Sequence, residues 1–131
     1  MNIKTETGQI NRRRVGTAFE KRAGVFLMQN GYRILEYNFR CRSGEIDIVA
    51  MDKGTLVFVE VKYRRSPERW NPLGAVDRKK QRIICRCADF YRLRHGVRES
   101  TPCRFDVVGI AGEQISLIRD AFEYIPVRQA W

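Results

Sequence analysis

A chain of 131 residues, 44% hydrophobic and 11% aromatic, is long enough for one folded domain and too apolar to remain disordered. Its 25 Lys and Arg against 15 Asp and Glu give a net charge of +10, which favours a polyanionic partner, although merely soluble basic proteins share such an excess. No apolar run exceeds four residues, which excludes a transmembrane helix, and the polar, basic stretch Met1–Arg14 lacks the apolar centre of a secretory signal, so a cytoplasmic location is the default expectation.

Residues 1–10 read as a flexible lead-in to a domain over 11–131. From about Asn11 to Asn30 the positions Val15, Phe19, Ala23, Phe26 and Leu27 recur at helical spacing, with Asn11 as a plausible N-cap and Asn30-Gly31 as a stop. Glu20 shares a stripe with the small residues Gly16, Ala23 and Gly24. Glycines there let a helix approach a sheet closely and aim Glu20 at it; the competing reading is a surface glutamate at a helix edge.

Tyr32–Arg40 reads as a first strand. Gly44–Ala50 and Val57–Lys62 are two more, and both carry charge inside apolar β runs. Period-two geometry sends Ile46, Ile48 and Ala50 to one face and Glu45 and Asp47 to the other. On the next strand Val57, Val59 and Val61 share a face, opposite Phe58, Glu60, Lys62 and Arg64. Asp52-Lys53-Gly54 signals a tight turn. A hairpin centred on Lys53 and Gly54 sets Val49 opposite Phe58, Asp47 opposite Glu60 and Glu45 opposite Lys62. Directly opposed Cβ atoms lie about 4.5–5.5 Å apart, so two carboxylates and an ammonium meet. Adjacent carboxylates repel, and a divalent cation relieves them; a solvent-facing cross-strand ion pair is the plainer alternative.

Between Arg65 and Gly74 two prolines and several turn formers mark a loop, which carries Trp70. A second helix is expected from about Ala75 to His95, stopped at Gly96. Lys80 falls within its apolar stripe of Val76, Ile83, Ile84, Cys87 and Tyr91, either snorkelling past the helix start or reaching a phosphate or the carboxylates. Gln81 lies at the edge of that stripe, and Arg78, Arg82 and Arg92 point elsewhere. Residues 103–110 and 114–118 are the last strands, and Asp106 is expected to pair structurally with a nearby arginine. Cys41, Cys85, Cys87 and Cys103 with a single histidine, His95, and no Cys-x-x-Cys argue against a zinc site. The order α-β-β-β-α-β-β predicts an α/β domain with one central mixed sheet flanked by helices.

Asp47 followed by Glu60-Val61-Lys62 on the next strand resembles the D…(E/D)-x-K signature of the PD-(D/E)XK nuclease superfamily. More closely, the chain resembles the YraN family of small bacterial proteins with a restriction-endonuclease-like fold. The matching stretches are Gly16-x-x-x-Glu20, Asn38, Gly44–Ala50, Phe58-Val59-Glu60-Val61-Lys62-x-Arg64, Val76-Asp77-x-x-Lys80 and Phe105-Asp106-Val107, spanning about 90 residues. Ile46, where the signature has proline, precedes Asp47. The resemblance implies a metal-dependent endonuclease acting on structured or branched DNA. Asp47, Glu60 and the Val61 carbonyl would hold Mg²⁺, or Mn²⁺ in its place, and Lys62 would orient the attacking water. Similarity to Holliday-junction resolvases adds Glu20 to the catalytic set. Arg64, Arg65, Lys80 and Arg82 would grip nucleic-acid phosphates, with Glu45 and Gln81 supporting, Glu45 as a secondary ligand or as a salt-bridge partner of Lys62. The alternative is a non-catalytic nucleic-acid-binding module with the same fold. A homodimer is attractive only because cutting two strands needs two sites.

Overall fold

Seven elements follow one another in the expected order: α1 (Gly8–Gln29), β1 (Arg33–Cys41), β2 (Gly44–Asp52), β3 (Thr55–Arg64), α2 (Arg78–Arg94), β4 (Cys103–Ala111) and β5 (Gln114–Ile118). They come from a computed structural model that describes residues 8–66, 68, 71, 74 and 76–127, with side chains described from residue 18 onward. The expected lead-in over residues 1–7, Trp70 and the end of the tail over 128–131 lie outside the described residues. Residues 8–10 already belong to α1, so Asn11 sits within that helix and not at its cap.

Strand order is β1-β2-β3-β4-β5, with β3 and β4 parallel and every other pair antiparallel. A parallel pair needs a crossover, and α2 supplies it. At the centre, Lys53 and Gly54 adopt φ of 50° and 88° between the paired residues Asp52 and Thr55. Two successive positive φ values suit the twist of a two-residue hairpin, and Val49 stands opposite Phe58 as expected. The start of α2 is fixed by Asp77, whose carboxylate accepts the Lys80 backbone N–H at 2.8 Å. That cap places Lys80 at the helix's third residue.

Each sheet face carries its own core. Under α2, Ile84, Cys87, Ala88 and Tyr91 pack with Phe39, Ile46, Val49, Phe58, Phe105 and Val107. Under α1, Ala23 and Leu27 pack with Ile48, Ala50, Val57, Val59, Val108 and Ile110. The tail extends the first layer, with Phe122 stacked on Phe105 at 4.9 Å. Asp106, fully buried, accepts Tyr32 Oη at 2.6 Å, Arg104 Nε at 2.9 Å and the Asp120 N–H at 2.9 Å, and Arg104 also reaches Asp52 at 2.8 Å. This is the structural pairing expected of Asp106. Among the described residues no helix is long and apolar enough to cross a membrane.

One expectation about faces is corrected. Ile46 belongs to the core under α2, whereas Ile48 and Ala50 belong to the core under α1. Strict alternation therefore breaks between Ile46 and Ile48, and the residue at the break is Asp47.

Candidate functional site

The strands separate where the charges begin. Paired residues of β2 and β3 run from Asp52↔Thr55 to Ile48↔Val59 and stop there. Beyond that point the Val61 N–H donates to Asp47 Oδ2 at 2.8 Å. A carboxylate thus stands where a β2 carbonyl would complete an ordinary ladder. Asp47 is wedged between two diverging strands and held there by the backbone.

Two groups of charge meet at Asp47. On one side, single carboxylate oxygens of Glu20, Glu45 and Asp47 all lie within 4.8 Å of one another. Glu20 reaches this point from α1, and the Asn38 side chain beside it favours its charged form. On the other side, Glu60 hydrogen-bonds Asp47. Glu60 lies on the α2 face, only 6% exposed, with Lys62 Nζ at 3.7 Å and Lys80 Nζ at 3.8 Å from its Oε2. Lys80, whose placement the apolar stripe left open, therefore sends its ammonium to a carboxylate.

Burial is the first influence on the three carboxyls, and neighbouring carboxylates add to it. Burial, reinforced by the neighbouring Asp47 carboxylate, pushes Glu60 up to about 7, although Lys80 and Lys62 oppose the rise. Burial also raises Asp47 despite the Val61 N–H, and it raises Glu20 despite the Asn38 amide. Carboxyls so placed keep their protons to higher pH than free carboxyls do. Clustered, partly buried oxygen donors of this kind fit a hard divalent cation such as Mg²⁺ or Mn²⁺.

Other expected residues take different places. Glu45 does not reach Lys62; it pairs with Arg40, its neighbour across β1, at 3.2 Å. The cause is the divergence of β2 and β3, which removes Glu45 from the row opposite Lys62. Gln81 Nε2 donates to the Val76 carbonyl at 2.9 Å and ties the approach to α2 instead of reaching the carboxylates. Arg64 folds back onto the Tyr63 carbonyl at 2.8 Å, and Arg65 is exposed. Arg82 lines an outward groove with Arg78, Arg86, Ile125, Pro126 and Val127. Val61 contributes its N–H to Asp47, while Cys41 and Cys87 bring their sulfurs to 3.2 Å. The residue that strand patterning overlooked is Asn38. Its signal was an asparagine, tolerant of positive φ, in the middle of a strand.

A family model described as "Uncharacterised protein family UPF0102" matches residues 19–110, a span that encloses Glu20, Asn38, Glu45, Asp47, Glu60, Lys62 and Lys80. A UPF0102 protein of Lachnoclostridium phytofermentans is 49% identical over 114 residues, 87% of this chain and 97% of that one. One from Symbiobacterium thermophilum is 53% identical over 98 residues, 75% and 82% of the two chains. One from Colwellia psychrerythraea is 37% identical over 126 residues, 92% and 98% of the two.

Proposed function

We propose that this chain, which belongs to family UPF0102, the YraN family, is a metal-dependent endonuclease that hydrolyses phosphodiester bonds in structured or branched DNA. The observation that carries the reading is the Asp47 carboxylate, fixed between two parting strands and shared by the Glu20–Glu45 group and by Glu60. Asp47 and Glu60 are the ligands of a Mg²⁺ or Mn²⁺ ion, with Glu20 completing the acidic wall. When bound, the ion supplies a water of lowered pKa and polarises a phosphoryl oxygen.

The chain's own residues do the rest. The Val61 N–H fixes the orientation of Asp47. Lys62 and Lys80 flank Glu60 at 3.7 and 3.8 Å and are placed to stabilise charge that grows on phosphorus. Lys62 orients the attacking water. Arg65, exposed just beyond the end of β3, and Arg64 grip phosphates beside the cut, contacts that position a strand without reading its sequence. The preference for branched DNA rests on the resemblance to junction resolvases.

The test is cleavage of branched and linear DNA with Mg²⁺ or Mn²⁺ by wild type, Asp47→Ala and Lys62→Ala. Metal-dependent cutting by wild type, lost by a factor of at least 10² in both variants, is expected for groups that act on the transition state. Tight binding without cutting under either metal would leave the non-catalytic DNA-binding reading in its place.

A further inference from the structure

We infer that Asn38 is a positioning residue of the acidic centre: its backbone turns Asp47 out of the regular pleat, and its side chain holds Glu20 against it. The inference rests on the metal-centre reading above and assigns a role to a residue outside the D…E-x-K set.

Three non-glycine residues among those described have positive φ. Lys53 lies in the β2–β3 turn and Asp120 follows β5; Asn38, at φ 55°, alone lies within a strand. Side chains two apart on a strand normally share a face. Around Asn38 they do not. Tyr37 lies against α1, where a Cβ on Gly24 would come within 2.0 Å of its hydroxyl oxygen, whereas Phe39 packs under α2, edge-on to Tyr91 at 5.1 Å. The same reversal occurs on the neighbouring strand between Ile48 and Ile46.

The register does not slip, because Tyr37 stays opposite Ile48 and Phe39 opposite Ile46. Both strands therefore roll together at one level, and the two residues at that level are Asn38 and Asp47. A left-handed residue supplies such a roll locally, and asparagine takes that conformation more readily than other side chains. The roll explains how Asp47 meets Glu20 from the α1 side while bonding Glu60 on the α2 side. At the same point the Asn38 amide favours the charged form of Glu20, the one member of the acidic group that comes from a helix. Groups that orient metal ligands in this way typically change metal affinity about 10- to 100-fold when removed.

The experiment is a Mn²⁺ titration by calorimetry of wild type, Asn38→Gly, Glu20→Ala and the double variant, with a thermal melt of each. Glycine keeps the positive φ and deletes only the amide. Asn38→Gly is expected to weaken Mn²⁺ binding about tenfold with little change in melting temperature. In the Glu20→Ala background the same substitution should have no further effect, a coupling that a purely structural role would not produce. Asn38→Ala, run through the same cycle, should show the same coupling plus a larger loss from the disfavoured φ. Undiminished affinity in Asn38→Gly, or an equal loss with and without Glu20, overturns the inference while leaving the metal site standing. Wild type that binds no Mn²⁺ overturns the metal site, and this inference with it.

Discussion

Replacing Glu60 with glutamine should stabilise the metal-free protein at pH 8 and abolish its response to a divalent cation. Glu60 is 6% exposed, and its carboxyl rises from the usual 4.5 to about 7, first through burial and then through the Asp47 carboxylate. Below pH 4 both folded and unfolded chains carry the Glu60 proton, so the group costs nothing. As pH climbs from 4.5 the unfolded chain releases that proton while the folded chain keeps it, and stability falls until pH 7 is passed. At roughly 1.4 kcal/mol for each tenfold difference in proton affinity, the rise from 4.5 to about 7 costs about 3 kcal/mol above pH 7. Glutamine does not titrate. The variant's advantage over wild type should therefore widen by about 3 kcal/mol between pH 4 and pH 8, or roughly 10 °C in melting temperature for a domain of this size. Thermal melts across that range in the presence of a chelator read it directly. Adding Mg²⁺ should then raise the melting temperature of wild type and leave the variant unmoved. An advantage independent of pH, or one that shrinks as pH rises, would mean that Lys62 and Lys80 already neutralise Glu60, and the case for a divalent cation at this carboxylate would fail.

Asp106→Ala should lower stability by about 1–3 kcal/mol, because it leaves Arg104 with Asp52 as its remaining carboxylate and breaks the bonds from Tyr32 and Asp120. Mn²⁺ affinity should survive, since this network packs on the sheet face away from Glu60, and calorimetry on the folded variant checks it. Gly44→Ala should destabilise the protein by roughly 1–3 kcal/mol, because its Cβ would come within 2.7 Å of Ile83 Cγ2 and press the β1–β2 turn against α2; chemical denaturation measures the loss. Binding of Mn²⁺ should strengthen as pH rises towards 7 and release protons, because Glu60 must give up its proton to serve as a ligand. Titrations in buffers of different ionisation enthalpy count those protons.

The hairpin was legible because turn chemistry and alternation act locally. Lys53-Gly54 dictated the turn, and the turn dictated that Val49 face Phe58. Extending that register outward worked only while the ladder lasted. It implied Glu45 opposite Lys62, yet the strands part after Ile48↔Val59, and Glu45 turns to Arg40. Period-two counting likewise put Ile46 with Ile48, which holds for a flat strand and fails where Asn38 rolls the pair. Lys80 was conspicuous as a cation on an apolar stripe, but only the packing of α2 over β2 and β1 decided that its ammonium meets Glu60. Asp106 shows the opposite case. Its partners were expected to include an arginine, and Arg104, two residues away, supplies that contact. What escaped sequence reading was thus mostly long-range: the splay of two strands, and a helix crossing that no single segment specifies.

The central claim is that acidic side chains from α1, β2 and β3 trap one divalent ion beside Lys62. Anomalous diffraction from a crystal soaked in Mn²⁺ near pH 8 tests it most directly. A peak bounded by the Asp47 and Glu60 carboxylates, with Glu20 on the same side, is the predicted result. Density showing those carboxylates still hydrogen-bonded to each other, with no peak between them at saturating Mn²⁺, would contradict it.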